Sequence, residues 1–254
     1  MIEVVGLKKN YGETQALKGV DLTIPNGKIF GFLGHNGAGK STIIKSLVSI
    51  IEPTEGKIYF DGEELINNRL DIKKSIGYVP DTPDMFLQLT AEEYWDLVAA
   101  AYEIPKDVRQ QRQEELLALF EMTGKESDTL EGFSHGMRQK AIVIGALLSD
   151  PDIWILDEPL QGLDPQAAFD LKELMKKHAE NGKTVIFSTH ILSTAEQLCD
   201  ELAILKKGEL IYNGSVKDLL ASAENESLEK IYLKMTGKHS NGELIEELEE
   251  MEDE

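Results

Sequence analysis

The sequence predicts an α/β protein with a mostly parallel sheet, an antiparallel β subdomain at its N-terminus and an inserted α-helical subdomain. Three observations lead to this fold class. Residues 2–34 contain three strand-like segments, residues 84–146 have a largely helical pattern, and strands and helices alternate again from residue 153. Such alternation is typical of a parallel sheet that is covered on both faces and binds ligands at the carboxyl ends of its strands.

The β-rich start of the chain is followed by further short strands. Its three segments are residues 2–7, 16–24 and 28–33, and a Pro-Asn-Gly turn separates the last two. Two more strands are predicted at residues 57–60 and 75–79, and the first of these ends at an Asp-Gly turn. Together these segments surround the stretch that carries the most informative motif.

The helices are predicted mainly from their N-terminal residues. Thr90 begins a capping box that opens one helix, and a second helix starts after Pro105. Asp164, followed by a proline, supplies the N-cap of a later helix, and Ser193 begins a capping box for a short one. The remaining strands are predicted at residues 153–156, 184–188, 202–205 and 210–212, the last two as a hairpin.

Composition indicates a globular protein with ample core. The chain has 254 residues, of which 41% are hydrophobic and 28% charged, which fits one large domain or a domain with a subdomain. No apolar run approaches the ~20 residues that cross a bilayer. We expect neither an export signal nor direct membrane insertion. The single cysteine excludes an intrachain disulfide framework and fits a reducing cytoplasm.

The net charge of −20 bears on partners. Such a field repels phosphate backbones, so nucleic acid is not an expected partner. Part of the charge is local, because residues 241–254 hold eight acidic residues and no basic one. We therefore divide the chain into a main domain at residues 1–220, with the helical subdomain at about 84–146 inserted in it, and an acidic C-terminal extension at residues 221–254. The end of this extension is either a solvated tail or a short docking helix, since its apolar residues have helical spacing.

The central motif is GHNGAGKS at residues 34–41, which has the spacing of a phosphate-binding loop. A strand-like run precedes it and an apolar-periodic run follows it, which is the strand–loop–helix context that the motif requires. The alternative is a glycine-rich turn before an ordinary helix, and the correct flanking elements make such a chance match to the pattern less frequent. We predict a P-loop NTPase core in which the nucleotide is bound by Gly34, His35, Asn36, Gly37, Ala38, Gly39, Lys40, Ser41 and Thr42.

The chemistry of this loop points to a nucleoside triphosphate and Mg²⁺ as ligands. Its backbone N–H groups form an anion nest backed by the positive end of the next helix. Lys40 would reach the β- and γ-phosphates and act in catalysis, and the Ser41 hydroxyl would bind Mg²⁺.

Other candidate residues follow later strands. Asp157 and Glu158 end a buried strand, where Asp157 would belong to the Mg²⁺ shell and Glu158 would polarise the attacking water. His190 follows another strand, where a neutral imidazole donates to a γ-phosphate oxygen. Ser134 and Gly136 start a helix and offer a hydroxyl and an uncrowded backbone to phosphate. Alone, each has a plainer reading as a surface turn, a structural histidine or an ordinary helix cap.

The order GHNGAGKS, FSHGMRQ, IWILDEP, GLDP and STH resembles the ATPase subunits of ABC transporters, over about residues 1–215. The resemblance implies that Tyr11 stacks on adenine, although a half-buried loop aromatic is the plainer reading. It also implies that Ser134 and Gly136 bind the γ-phosphate of an ATP held by a second copy of the chain, in a head-to-tail dimer that sandwiches two ATPs. The Leu163-Asp164 loop would communicate across that dimer.

Two residues depart from the family pattern. Asp81 stands where the family usually has Gln, and we expect it to remain in the metal shell and to couple the two parts of the site. The signature normally read S-G-G-Q is here Ser134-His135-Gly136-Met137, which keeps the phosphate-facing serine and second glycine. Within the family, these features look most like the Ecs-type exporter ATPase of Gram-positive bacteria.

The resemblance implies an ATP-hydrolysing subunit that powers transport by a separate transmembrane permease, in the export direction, at the cytoplasmic face of the cell membrane. The alternative is a soluble ABC-type ATPase that acts on nucleic acid or ribosomes. The chain has neither the long coiled coil nor the second ATPase domain of such relatives, and its negative charge disfavours nucleic acid.

Overall fold

The computed structural model describes residues 1–223 and 226–237. The prediction about residues 241–254 falls outside these residues. The strands are β1 (Ile2–Tyr11), β2 (Thr14–Ile24), β3 (Ile29–Leu33), β4 (Glu55–Phe60), β5 (Glu63–Glu64), β6 (Ile76–Val79), β7 (Ile153–Leu156), β8 (Thr184–Thr189), β9 (Glu201–Lys206) and β10 (Glu209–Ser215). The helices are α1 (Lys40–Leu47), α2 (Arg69–Lys74), α3 (Ala91–Ala101), α4 (Lys106–Leu119), α5 (His135–Leu148), α6 (Pro165–Glu180), α7 (Leu192–Leu198), α8 (Val216–Ser222) and α9 (Leu228–Thr236).

The strands form two sheets. The N-terminal sheet is antiparallel, in the order β2-β1-β4-β5. The second sheet has the order β10-β9-β3-β8-β7-β6 and is parallel except for its edge strand β10. The predicted fold class is confirmed, including the antiparallel N-terminal sheet and the helices α3, α4 and α5 inserted between β6 and β7.

Both faces of the parallel sheet are covered, because alternate residues of β3 point to different cores. Phe30 and Phe32 pack in the core shared with the antiparallel sheet and α1. Ile29 and Leu33 belong to the core on the other face, which is filled by the remaining large helices. Residues from α5, α6, α7 and α9 all contribute to this second core. Strands that are buried on both sides have nearly continuous apolar sequences, which is why these strands could be predicted from the sequence.

The helix starts predicted at Thr90, after Pro105 and at Asp164 are confirmed, and the one predicted at Ser193 is wrong. Thr90 forms its capping box with Glu93, and the Asp164 carboxylate accepts from the Ala167 N–H. The cap at Ser193 does not form, because α7 already begins at Leu192. The Glu196 carboxylate instead accepts from the Leu228 N–H at 3.1 Å and holds the start of α9.

The C-terminal part of the described chain is packed against the main domain. Helix α8 crosses position 220, where we divided the chain, and α9 buries Leu228 and Ile231 in the same core as α7. Lys206 donates to the Thr236 carbonyl at 2.7 Å, which fixes the end of α9. The division at residue 220 stays a prediction. None of the helices in the described part of the chain is both long enough and apolar enough to cross a membrane.

Candidate functional site

Four strands of the parallel sheet bring the predicted residues to one edge. The phosphate-binding loop follows β3, Asp81 follows β6, Asp157 and Glu158 follow β7, and His190 follows β8. These strands run in the same direction, so their carboxyl ends lie together. The sheet therefore gathers residues that are far apart in sequence.

The phosphate-binding loop takes its shape from glycines. Gly37 and Gly39 have φ angles of 80° and 110°, in the region that side chains disfavour. A Cβ atom on Gly34 would lie 2.6 Å from the Leu205 carbonyl oxygen, so this position has no room for a side chain. Helix α1 starts at Lys40 with no side-chain cap, which leaves its first N–H groups facing the loop. The loop is therefore a ready anion-binding concavity.

Lys40 links the loop to the carboxylates. Its side chain is buried, and its ammonium donates to the Gly34 carbonyl at 2.7 Å. The same nitrogen lies 3.2 Å from Glu158 Oε1. The cation is thus held between the loop and the strand end of β7, where an incoming phosphate would meet it.

Asp157 is fully buried at the centre of a hydroxyl network. Its Oδ1 accepts from Ser41 Oγ at 3.0 Å and from Ser188 Oγ at 2.6 Å. Its Oδ2 has no hydrogen-bond partner among the described residues. Burial raises the pKa of this carboxyl above its usual value, while the two serine hydroxyls act in the opposite direction. An orphaned buried oxygen of this kind is costly unless a cation or a water completes it.

Glu158 is held in an unusual backbone conformation. Its φ angle is 48°, which is uncommon for a residue with a side chain and is often found at functional sites. The Glu158 N–H donates to Ser188 Oγ at 2.9 Å, and Glu158 Oε2 lies 3.0 Å from His190 Nδ1. One carboxylate oxygen thus faces Lys40 and the other faces His190.

A cavity of about 750 Å³ opens over this arrangement. Residues 36–42, Asp81, Glu158 and His190 line it, as the sequence analysis predicts. Gly34 and His35 belong to the same loop but stand outside the cavity lining. Asp157 lies below the lining, where it contacts Ser41.

The structure does not bring every predicted residue to this cavity. Tyr11 is the last residue of β1 rather than a loop residue, and its exposed ring stands outside the cavity lining with Lys9 Nζ 5.3 Å from its centroid. Ser134 and Gly136 also stand outside it, at the start of α5. Ser134 Oγ caps that helix by accepting from the Met137 N–H, and a Cβ on Gly136 would lie 2.7 Å from the Gly162 carbonyl oxygen.

Several residues at the site were not predicted from the sequence. Ser188 is the most important, because its hydroxyl joins Asp157 to the backbone of Glu158. A serine inside the apolar run of β8 was the available signal, since a buried hydroxyl requires a partner. Gln15, Lys18, Gln161 and Lys207 also line the cavity, and no motif marked them.

The residues present fit a magnesium ion. Ser41, Asp81 and Asp157 offer hydroxyl and carboxylate oxygens, which are ligands that Mg²⁺ prefers. One of these oxygens, Asp157 Oδ2, is buried without a hydrogen-bond partner among the described residues. Within the described ranges, no three His, Cys, Asp or Glu side chains form a cluster that holds a metal by itself. This also agrees with Mg²⁺ at nucleotide sites, where a few protein ligands are completed by water and phosphates.

Comparisons with known proteins agree with this geometry. A family model described as "ABC transporter" matches residues 17–161, more than half of the chain. The chain is 40% identical to an uncharacterized ABC transporter ATP-binding protein of Nostoc sp., over 82% of this chain but only 62% of that protein's length. It is 34% identical to the ABC-type transporter ATP-binding protein EcsA of Bacillus subtilis, over 96% of this chain and 99% of that one.

Solved structures of ABC transporter ATP-binding proteins are also similar to this chain. An ATP-binding subunit of an ABC transporter superposes with a TM-score of 0.87 at 34% identity, covering 93% of this chain and 99% of the other. A dimeric ATP-binding cassette in a post-hydrolysis state, bound to ADP and Pi, superposes with a TM-score of 0.76 at 27% identity, over 85% and 99% of the two chains. The fold and site define a P-loop ATP-binding protein. The chain belongs to the ABC transporter family, as an ATP-binding protein of that family.

Proposed function

We propose that this chain binds and hydrolyses Mg²⁺·ATP and thereby powers export through a separate membrane permease. The observation that carries the proposal is the convergence of Lys40, Glu158 and His190 on one cavity, with Asp157 and Ser41 joined beneath it. These groups have the chemistry that phosphoryl transfer to water requires, namely cations for the phosphates and a base for the water.

Each residue has a distinct role in the proposed reaction. The loop N–H groups and Lys40 bind the phosphate chain, and Lys40 must exchange its contact with Glu158 for one with phosphate. Glu158 then accepts a proton from the attacking water, while the neutral His190 exchanges its contact with the Glu158 carboxylate for one in which its N–H donates to the γ-phosphate. Ser41, Asp157 and Asp81 would hold Mg²⁺, which neutralises phosphate charge when it is bound.

We further propose that the site is completed by a second copy of the chain. Ser134 and Gly136 stand outside the lining of the chain's own cavity, which suits residues that contact nucleotide held by the partner copy. The dimeric cassette with ADP and Pi supports such an arrangement by similarity. In this dimer Leu163 and Asp164 lie at the interface, and Tyr11 is available to stack on adenine.

The permease would dock on the inserted helical part. Met85, Phe86 and Leu97 are exposed apolar side chains in or just before α3. Arg138 of α5 forms an ion pair with Asp84, which is close in sequence to both Phe86 and Asp81. A partner on this surface would therefore be connected to the metal end of the cavity. Docking would place the chain at the cytoplasmic face of the membrane.

The first experiment tests Glu158→Gln, which removes the base and keeps the shape. We expect ATP to bind with near wild-type affinity, while hydrolysis falls by about 10² to 10⁴, the usual contribution of general-base catalysis. We also expect the variant to accumulate as an ATP-bound dimer, visible by light scattering. Glu180→Gln, an exposed change at the end of α6, is the matched control.

Near wild-type turnover in Glu158→Gln would show that another group is the base. The permease is tested separately, by affinity purification of the chain from membranes followed by mass spectrometry. Recovery of a multi-spanning membrane protein supports the transport function. Recovery of ribosomes or nucleic acid in its place would favour the alternative function.

A further inference from the structure

The turn between β9 and β10 brings a lysine to the rim of the cavity. Lys207 lines the cavity, and its φ angle is 50°, while the next residue, Gly208, has a φ angle of 80°. Lys206 and Glu209 pair across the hairpin on either side of these two residues. Two consecutive residues with positive φ are typical of a tight type I′ turn. The backbone at Lys207 is therefore well defined.

This turn is fastened to the phosphate-binding loop. The Gly208 N–H donates to the Ala38 carbonyl at 2.9 Å, and the Gly208 carbonyl accepts from the Lys18 N–H at 3.0 Å. A Cβ on Gly208 would lie 2.6 Å from the Ala16 carbonyl oxygen, which shows how closely the turn approaches β2. The backbone of Lys207 is therefore fixed close to the phosphate-binding loop, and its exposed side chain extends from there.

Lys207 differs from the other two lysines at the cavity in its surroundings, because each of those has a carboxylate close to its ammonium. Lys40 faces Glu158, and Lys18 Nζ lies 2.9 Å from Glu209 Oε1. Within residues 1–223 and 226–237, no carboxylate oxygen lies within 4.0 Å of the Lys207 ammonium. A positive charge without a nearby counter-ion, beside an anion-binding loop, favours an anionic ligand.

We propose that Lys207 is an additional nucleotide-binding residue, whose ammonium pairs with the phosphate group next to the ribose. The inference rests on the proposed nucleotide binding and adds a residue to it. The end of the cavity at Lys40, Glu158 and His190 accommodates the terminal phosphate. Lys207 is instead fastened to Ala38 and β2, and an ammonium at this place contributes a charge contact that ADP and ATP share.

The test compares two substitutions in the full chain. Lys207→Asn removes the charge and preserves the turn, because asparagine tolerates positive φ and is favoured before glycine in type I′ turns. Lys207→Arg keeps the charge. Lys217→Gln, an exposed change in α8, is the control for loss of one positive charge from the whole molecule.

We expect calorimetric titration with Mg·ADP to show an affinity about 3- to 10-fold lower in Lys207→Asn, the effect of one partly exposed charged contact. Lys207→Arg and Lys217→Gln should bind as the wild type does. ATP should lose the same factor as ADP. The loss should shrink as NaCl rises from about 50 mM to about 500 mM, since salt screens an exposed pair.

Wild-type ADP affinity in Lys207→Asn at low salt would overturn the proposal, as would a loss confined to ATP or a loss that salt does not change. A wild-type chain that binds neither ADP nor ATP would overturn the proposed function itself. The two failures are thus distinguishable in one set of titrations.

Discussion

The two halves of the candidate site are built in different ways. The phosphate-binding half, residues 34–42, is one continuous segment that offers mainly backbone N–H groups, and its glycines set its shape. The hydrolytic half around Asp157 and Glu158 depends on side chains from other strands, namely Ser188 and His190. Binding is therefore encoded locally, whereas the proposed hydrolysis depends on the register of β7 against β8.

This difference explains what the sequence predicts and what it does not. The loop and the β3–α1 context are local, so the motif at residues 34–41 and the two runs beside it were sufficient to find them. The carboxylates were found because an apolar strand ends at them. The serine in β8 indicated a buried hydroxyl, but its partner was not predictable, because the contact with Asp157 spans 31 residues and depends on strand pairing. Tyr11 was assigned to a loop because the apolar part of β1 ends before it. In the structure β1 continues to Tyr11, which pairs with Thr14 in a tight hairpin.

The two halves also differ in their connection to the inserted helices. Gln139 of α5 donates to the Pro159 carbonyl at 3.4 Å, and Lys140 lies 3.0 Å from Asp164. Both contacts reach the segment that follows Glu158. A movement of α5 would therefore first displace residues of the hydrolytic half. Three substitutions test this division between binding and hydrolysis.

The largest effect is expected from Lys40→Ala in the binding half. The change removes the buried cation that meets the phosphates, and charged contacts of this kind are worth about 10- to 100-fold in affinity. Titration with Mg·ATP should show this loss directly. Lys106→Ala, an exposed change at the start of α4, is the control. Unchanged ATP affinity in Lys40→Ala would show that the loop does not bind phosphate.

An intermediate effect is expected from Ser188→Ala in the hydrolytic half. The variant leaves the Glu158 N–H without its acceptor and removes one donor from Asp157, which costs about 1–3 kcal/mol of stability for a buried unsatisfied group. We expect the rate of ATP hydrolysis at saturating ATP to fall about 10-fold, since about 1.4 kcal/mol in the barrier changes a rate by that factor. ATP affinity should change little.

The control for Ser188→Ala is Ser193→Ala, a nearby exposed serine. Calorimetric titration and steady-state kinetics on both variants separate binding from turnover. A fall in ATP affinity as large as the fall in rate would show that the two halves are not independent.

The smallest effect is expected from Asp81→Gln, at the boundary between the halves. Asp81 lies 3.8 Å from Lys45 with both side chains more than a third exposed, so the ion pair is weak. Glutamine keeps an oxygen ligand for Mg²⁺, adds N–H donors and removes a negative charge that raises the pKa of Asp157. These changes partly offset one another. We expect turnover within about 3-fold of wild type, since exposed charge changes are worth at most about 1 kcal/mol.

Steady-state hydrolysis at several Mg²⁺ concentrations measures this effect, with Asp107→Asn in α4 as a control for the lost charge. A complete loss of ATPase activity in Asp81→Gln would contradict the assigned role, because a ligand that can be exchanged for another oxygen donor should not abolish the reaction. It would place Asp81 beside Glu158 as an essential carboxylate. The hydrolytic half would then include the segment after β6 as well as the segment after β7. Both segments contact α5, through Asp84 and Pro159 respectively.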